Sequence, residues 1–238
     1  MERIFFDNSS TTQVDERVLE AMIPYFRSKY GNPSSLHSYG EEAQEGISKA
    51  RERMAEAVGA SPEEIYFTSG GTESDNLAVQ GTAFSSIHEG RHIITSSIEH
   101  HAILHTCDFL ASQGFRITYL PVDKDGLIDP DSLLSAIKKD TVLISIMAAN
   151  NEIGTIQPLK ELGKIAQDSG IPFHTDAVQA ITKMPIDVDR DCIDMLSISG
   201  HKFHGPKGIG ALYLRKGHTL RPLSYGGGQE KGLRPSTE

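Results

Sequence analysis

The chain has 238 residues, of which 38% are hydrophobic and 23% charged, and its net charge is −9. That length buries one sizeable core and is short for two ordinary domains, and no apolar stretch nears the roughly 20 residues that cross a bilayer, so no membrane partner is expected. The acidic balance, without a basic cluster, excludes nucleic acid as the main partner, because phosphate backbones are bound through Lys and Arg.

Small molecules and proteins remain as partners. Met1-Glu2-Arg3 leads into Ile4-Phe5-Phe6 with no signal-peptide layout, so the expected location is the cytoplasm. The two cysteines, Cys107 and Cys192, form no CxxC and no framework spacing; both are expected to be buried thiols rather than disulfide partners or metal ligands.

In chain order, Ile4 to Phe6 reads as a short strand running into the polar loop Asp7–Thr12. Val14, Val18, Met22 and Phe26 share one helical face, which Gly31-Asn32-Pro33 ends; Gly40 to Val58 is a second amphipathic helix, with Gly59 as its stop. From Glu64 the pattern alternates. Strands are expected at 64–68, 92–97, 116–121, 141–149 and 172–176, with helices from about Thr72, from Glu99, from Asp129-Pro130 and from Pro158 to Gly170. A last strand, Ile193 to Ile198, meets an elbow of small residues around Ser199-Gly200-His201-Lys202, and a further apolar run covers Ile209 to Leu214. Continuous apolar strands separated by helices predict an α/β fold, a mostly parallel sheet with helices on both faces.

In such sheets ligands lie at the carboxyl ends of the strands. Those ends carry Ser69-Gly70-Gly71-Thr72, Glu99-His100-His101, Asn150-Asn151-Glu152, Asp176 with Gln179, and Ser199, His201 and Lys202. Gly71 and Thr72 open a helix, whose free N–H groups and dipole suit one phosphate; without GK[ST] or a spaced-glycine fingerprint, neither a nucleoside triphosphate nor a dinucleotide is indicated. Lys202, short of water beside two histidines, is placed to lose a proton and act as a Schiff-base lysine, though a solvated turn lysine reads the same way. Asp176 ends a buried strand and needs a positive partner, met by a protonated pyridine nitrogen or by an ordinary salt bridge or helix cap. His100 can stack on a ring and move protons, and the amides of Asn151 and Gln179 can reach a ring hydroxyl or satisfy backbone. Together these groups are what pyridoxal 5'-phosphate asks for. The competing metal reading, from His100, His101 and His105 with His201 and His204, lacks the HExxH order and a completing carboxylate, so no metal is expected.

The motifs FFDNSSTT, GNPSSLHSYGEEA, FTSGGTESDNLA, SIEHHAIL, ISIMAANNEIGTIQP, HTDAVQ, SGHKFHGPKGIGALY and GGGQEKGLRPST, in this order over nearly the whole length, resemble the cysteine desulfurases, pyridoxal-phosphate enzymes of the class V aminotransferase group. The resemblance implies a fold-type I transferase large domain, a homodimer, and transfer of sulfur from L-cysteine to an acceptor cysteine as a persulfide, for iron–sulfur cluster or thio-cofactor synthesis with a sulfur-acceptor or scaffold protein. Carried onto this sequence, it makes Lys202 the cofactor lysine and Asp176 the pyridinium partner. His100 becomes the stacking and proton-moving residue, Gln179 the contact to the phenolic oxygen and Asn151 a neighbour of cofactor and substrate. Thr72, Ser199 and His201 bind the phosphate, joined by Thr237 from the partner subunit. At Thr237 the family's RSGT is Arg234-Pro235-Ser236-Thr237, and the proline re-aims the loop.

The expected domain organisation is an N-terminal segment, 1–14, and a cofactor domain, 15–238, that ends before the family's C-terminal domain. The acceptor-cysteine loop and the arginine for the substrate carboxylate belong to that missing portion. Two other functions stay open: a catalytically silent scaffold for dimerisation or sulfur-transfer partners, and a sibling selenocysteine lyase or class V aminotransferase.

Overall fold

A computed structural model describes residues 3–238. Helix α1, Glu16–Arg27, starts where the Asp15 carboxylate accepts the Arg17 N–H (2.9 Å), and α2, Ser38–Val58, stops at Gly59, whose φ of 74° is the left-handed conformation that glycine adopts freely. The alternating part follows the expected order: β1 (Ile65–Thr68), α3 (Gly71–Ser85), β2 (His92–Ser96), α4 (His101–Ser112), β3 (Arg116–Leu120), α5 (Pro130–Ala136), β4 (Thr141–Ser145), α6 (Leu159–Asp168), β5 (Phe173–Asp176), β6 (Met195–Ser199) and β7 (Gly210–Leu214).

The seven strands form one sheet in the order β1-β7-β6-β5-β4-β2-β3. Strands β3, β2, β4, β5 and β6 are mutually parallel, whereas β7 runs antiparallel to both β6 and β1. The exception has a simple cause. A parallel strand needs a long crossover, and the chain between Ser199 and Gly210 is a tight elbow, so β7 returns beside β6 in the opposite sense.

Strand alternation splits the core into two layers. Phe173, Leu196, Ile198 and Ile144 face one way, onto Leu159, Leu162 and Ala166 of α6, while Met195, Leu143 and Ile93 face the other, onto Leu77 and Ala78 of α3 and Ile103 and Leu110 of α4. Between them, His174 and Asp176 of β5 and Ser197 of β6 point under α3, so the second layer has a polar stretch at its carboxyl end.

Three expectations need correction. Ile4 to Phe6 is not a strand; these residues are exposed (73%, 57% and 88%) and join neither edge of the sheet, β1 or β3. The chain there instead crosses the elbow, the Thr12 N–H donating to His201 O (2.9 Å) and the Asp15 N–H to His204 O (3.0 Å). Strand β4 ends at Ser145 rather than Ala149; beyond it the N–H groups of Ile146 and Ala148 still bond the carbonyls of His174 and Asp176 before the chain turns at Asn150. Cys192, expected to be buried, lies in the turn before β6, at φ 54°, and is half-buried, while Cys107 is buried in α4. Among the described residues, no helix is long and apolar enough to cross a membrane.

Candidate functional site

A cleft of about 670 Å³ opens at the carboxyl ends of the parallel strands. Gly71, Thr72, His100, Asn151, Asp176, Gln179, Ser199, His201 and Lys202 line it. Nine of the ten residues singled out from the sequence therefore meet in one cavity. Thr237 is the tenth. It is exposed on the C-terminal strap, where its neighbour Ser236 donates its N–H to Gln229 Oε1 (3.3 Å), and it does not line the cleft of its own chain.

The cup at the start of α3 is made by glycine. Gly70 has φ 156°, and a Cβ on Gly71 would come within 2.6 Å of Val178, so neither position accepts a side chain without a shift. Glu73 braces the cup, accepting the Ser69 N–H (2.5 Å) and the Arg234 guanidinium (3.1 Å), and these contacts hold its carboxyl below the usual range against the opposing effect of burial. The first-turn N–H groups of α3 have no intrahelical partner, so the cup faces the cleft as an anion site, beside the Ser199 hydroxyl. His201 joins through the elbow, with Nδ1 3.1 Å from Thr11 Oγ1; burial, Lys202 and Lys207 all lower its pKa.

Lys202 sits in the 3₁₀ turn Gly200–Lys202 at the elbow. Its Nζ donates to the carbonyls of Ser9 and Ser10, so the N-terminal segment is what holds the amine over the cleft. Burial and the Lys183 ammonium press Lys202 below the usual lysine range, against Asp176 and Asp7. Gln179 is tied into the same group, donating from Nε2 to Ser9 O (2.7 Å) and accepting from Lys183 at Oε1 (2.9 Å).

Asp176 is 5% exposed. Burial raises its pKa, and the Val178 N–H (2.9 Å), His100 and Lys202 pull it back. A buried carboxyl with so little compensation is suited to a cationic ligand atom. The helix expected from Glu99 begins instead at His101, with His100 as its cap: Nδ1 accepts the Ala102 N–H (3.1 Å), which leaves Nε2 as the nitrogen free to exchange a proton. Asn151 lies at the mouth, its amide on Glu152 (2.8 Å).

Reading the strand ends undervalued the cleft floor. Glu99, buried one residue before His100, accepts the Ser96 hydroxyl (2.5 Å) and the Met147 N–H (2.9 Å) at Oε1, while Oε2 has no partner; burial lifts it to about 8. Asp75 of α3 is a further carboxyl, 1% exposed, bordering the same cleft. A signal for Asp75 was present, since it falls one helical turn after Thr72 and so shares its side of α3. The backbone carbonyls of Ser9 and Ser10 leave no trace in side-chain chemistry.

Phosphate cup, buried carboxyl and amine around one cavity fit a phosphorylated pyridine aldehyde, and the buried Asp176, with one backbone donor on its carboxylate, is the feature that asks for its ring nitrogen. The class-V aminotransferase profile matches residues 4–237. The chain is 59% identical over 235 residues to cysteine desulfurase IscS of Methanosarcina thermophila and 55% identical over 235 residues to its namesake from Dictyoglomus turgidum; each match covers 99% of this chain, and 58% and 60% of those relatives. The chain thus spans about three fifths of the length of these curated relatives. Among solved structures it is similar to SspA in complex with cysteine (TM-score 0.97, 50% identity, 99% of this chain and 69% of that one) and to a NifS-like protein (TM-score 0.97, 48% identity, 100% and 66%).

Proposed function

Because the chain belongs to the class-V aminotransferase family of pyridoxal-phosphate enzymes, among its IscS-like and NifS-like members, we propose that it serves cysteine desulfuration: L-cysteine is converted to L-alanine and its sulfur passes to an acceptor cysteine as a persulfide. The observation that carries this reading is the convergence of Lys202, Asp176 and the glycine cup on one cleft, in a chain similar to a protein solved with cysteine bound.

When bound, pyridoxal phosphate supplies an electron-withdrawing ring that stabilises negative charge at the substrate's α-carbon. The chain's own groups supply the rest. Gly71, Thr72, Ser199 and His201 hold the phosphate, and Thr237 reaches the same group from a second copy of the chain in a homodimer. Asp176 keeps the ring nitrogen charged. Lys202, with its amine pressed toward the neutral form, binds the aldehyde and afterwards moves a proton at Nζ, and His100 stacks on the ring and exchanges a proton at Nε2. Gln179 orients the ring hydroxyl, and Asn151 lies where substrate enters.

The thiol that takes the sulfur is neither cysteine of this chain. Cys107 is fully buried and pushed up to about 12, with desolvation the largest cause, and the Cys192 thiol, in the turn before β6, is turned to Gln167. A low-pKa, exposed thiol is what the transfer requires, so the acceptor belongs to further sequence or to a second polypeptide, such as an iron–sulfur scaffold protein. A cofactor-binding scaffold without turnover is the reading to set against it.

Mixed with pyridoxal phosphate, the protein is expected to gain a visible absorption band that survives gel filtration, and Lys202→Ala to lose it. A band that persists in Lys202→Ala, or none in the parent protein, would sink the cofactor assignment. Alanine release from cysteine with an added small thiol separates the enzyme from the scaffold, and the same assay with selenocysteine separates desulfurase from lyase.

A further inference from the structure

The floor of the cleft holds a polar group that the proposed reaction leaves unused. His174, fully buried on β5, bridges two strands: its Nδ1 is 2.8 Å from Ser145 Oγ on β4 and its Nε2 is 2.9 Å from Ser197 Oγ on β6. Ser145 and Ser197 are themselves fully buried. Asp75 approaches from α3, with Oδ1 3.8 Å from His174 Nε2 and Ser197 beside it, yet Oδ1 is buried without a hydrogen-bond partner. Ser197 is also the residue that faces Asp176 across the β5–β6 pairing. Two carboxyls therefore share one dry floor.

Two adjacent buried carboxylates do not both stay ionised, since neither is solvated and each raises the cost of the other. The surroundings decide which one keeps the proton. Asp176 has the Val178 N–H, and Lys202 and His100 are near it. Asp75 faces Asp176 and His174 from β5 and Glu99 from the loop before α4, with no cation among its main influences, and burial is the chief effect raising it. Burial also drives His174 down to about 3, so the imidazole is neutral and supplies no charge.

On the cofactor reading above, we propose that Asp75 is a positioning residue for Asp176: it is the neutral member of a carboxyl pair, anchored on the chain Ser197–His174–Ser145, so that Asp176 alone carries the negative charge that meets the ring nitrogen. The hydrogen bonds then run in one direction. The Asp75 O–H donates to Ser197 Oγ, the Ser197 O–H to His174 Nε2, and the His174 Nδ1–H to Ser145 Oγ. An ionised Asp75 would put a second charge beside Asp176.

Infrared spectra of the cofactor-free protein in D₂O at neutral pH read this without any activity. Protonated carboxyls absorb apart from carboxylates, and Asp75→Asn is expected to remove the intensity of one of them while Asp176→Asn leaves it in place. Loss in Asp176→Asn instead, or no loss in Asp75→Asn, overturns the assignment. Should Asp75→Asn fail to fold, Asp75→Ser is the second neutral replacement, read in the same way.

The positioning role predicts that Asp75→Asn binds pyridoxal phosphate within about threefold of the parent, since the amide keeps shape and neutrality. Asp176→Asn loses about 30-fold or more, the consequence of removing one partner of a buried charged contact. Equal losses in the two variants would refute a difference in charge between the two carboxyls. A protein that shows the Asp75 band but binds no cofactor refutes the proposed function and leaves the proton where it is assigned.

Discussion

Arg51→Ala is expected to destabilise the folded protein by about 3–5 kcal/mol, the range for removing one partner of a buried ion pair. Glu230 is 4% exposed, and the Arg51 fork meets both its oxygens, NH1 on Oε2 at 2.8 Å and NH2 on Oε1 at 2.7 Å. NH1 also donates to Ile65 O (2.6 Å), the Phe67 N–H donates to Glu230 Oε2 (3.0 Å), and the guanidinium lies 4.8 Å from the Phe67 ring centroid. Truncation leaves a buried carboxylate with one backbone donor and exposes the ring. Lysine is not expected to rescue, because one ammonium does not reproduce the two-pronged contact and the stacking.

The double change Arg51→Met with Glu230→Leu tests the cause: replacing both charges by apolar groups is expected to return most of the lost stability. Urea denaturation of the four proteins checks this, and a double variant no more stable than Arg51→Ala would show that the pair matters for something other than its burial. The consequence reaches the site. The pair pins the strap that carries Arg234, which braces Glu73 at the cup, and Thr237, so Arg51→Ala is also expected to loosen cofactor binding.

The second large effect is on pH. Glu99 titrates at about 8 in the folded protein against 4.5 as a free side chain, burial being the main cause. Between those values the folded state keeps a proton that the unfolded chain releases, so the contribution of Glu99 is fully present below about pH 4.5 and is lost as pH rises through 8. At roughly 1.4 kcal/mol per unit, the loss by pH 9 is on the order of 4 kcal/mol.

Glu99→Gln keeps the oxygen that accepts from Ser96 and Met147 and cannot ionise. Its stability relative to the parent should therefore climb from pH 5 to about pH 8 and level off above it in denaturant titrations. Asp75 and Asp176 act in the same direction, but both proteins contain them, so the difference isolates Glu99. Parallel curves for the two proteins would mean that Glu99 is ionised throughout and that the floor is wetter than its burial indicates.

Much of the architecture was legible because it rests on local patterns. Helix stops such as Gly59, the apolar runs of the strands and the Pro130 start follow from backbone conformation and periodicity, which neighbouring residues set among themselves. Nine site residues were legible for a related reason: in an alternating α/β chain, the carboxyl ends of parallel strands lie on one side, so polar residues there converge without further information. The strand expected at Ile4 to Phe6 failed because pairing is a property of two segments, and that one lies against neither edge strand, β1 or β3. The reversal of β7 was written in the shortness of the elbow, but the apolar pattern of β7 is the same in either direction.

The sequence by itself determined the alternation of strand and helix, the glycine cup before α3, the amine at the elbow and the carboxyl at the end of β5. Each depends on residues close together in the chain, where sterics and hydrophobic period act directly. The tertiary structure alone decided which titratable groups share a dry floor: Asp75 and His174 are 99 positions apart and meet only because α3 lies across β5 and β6. Desolvation holds His174 neutral, and desolvation with the nearby Asp176 raises Asp75; both effects come into being when the layers close.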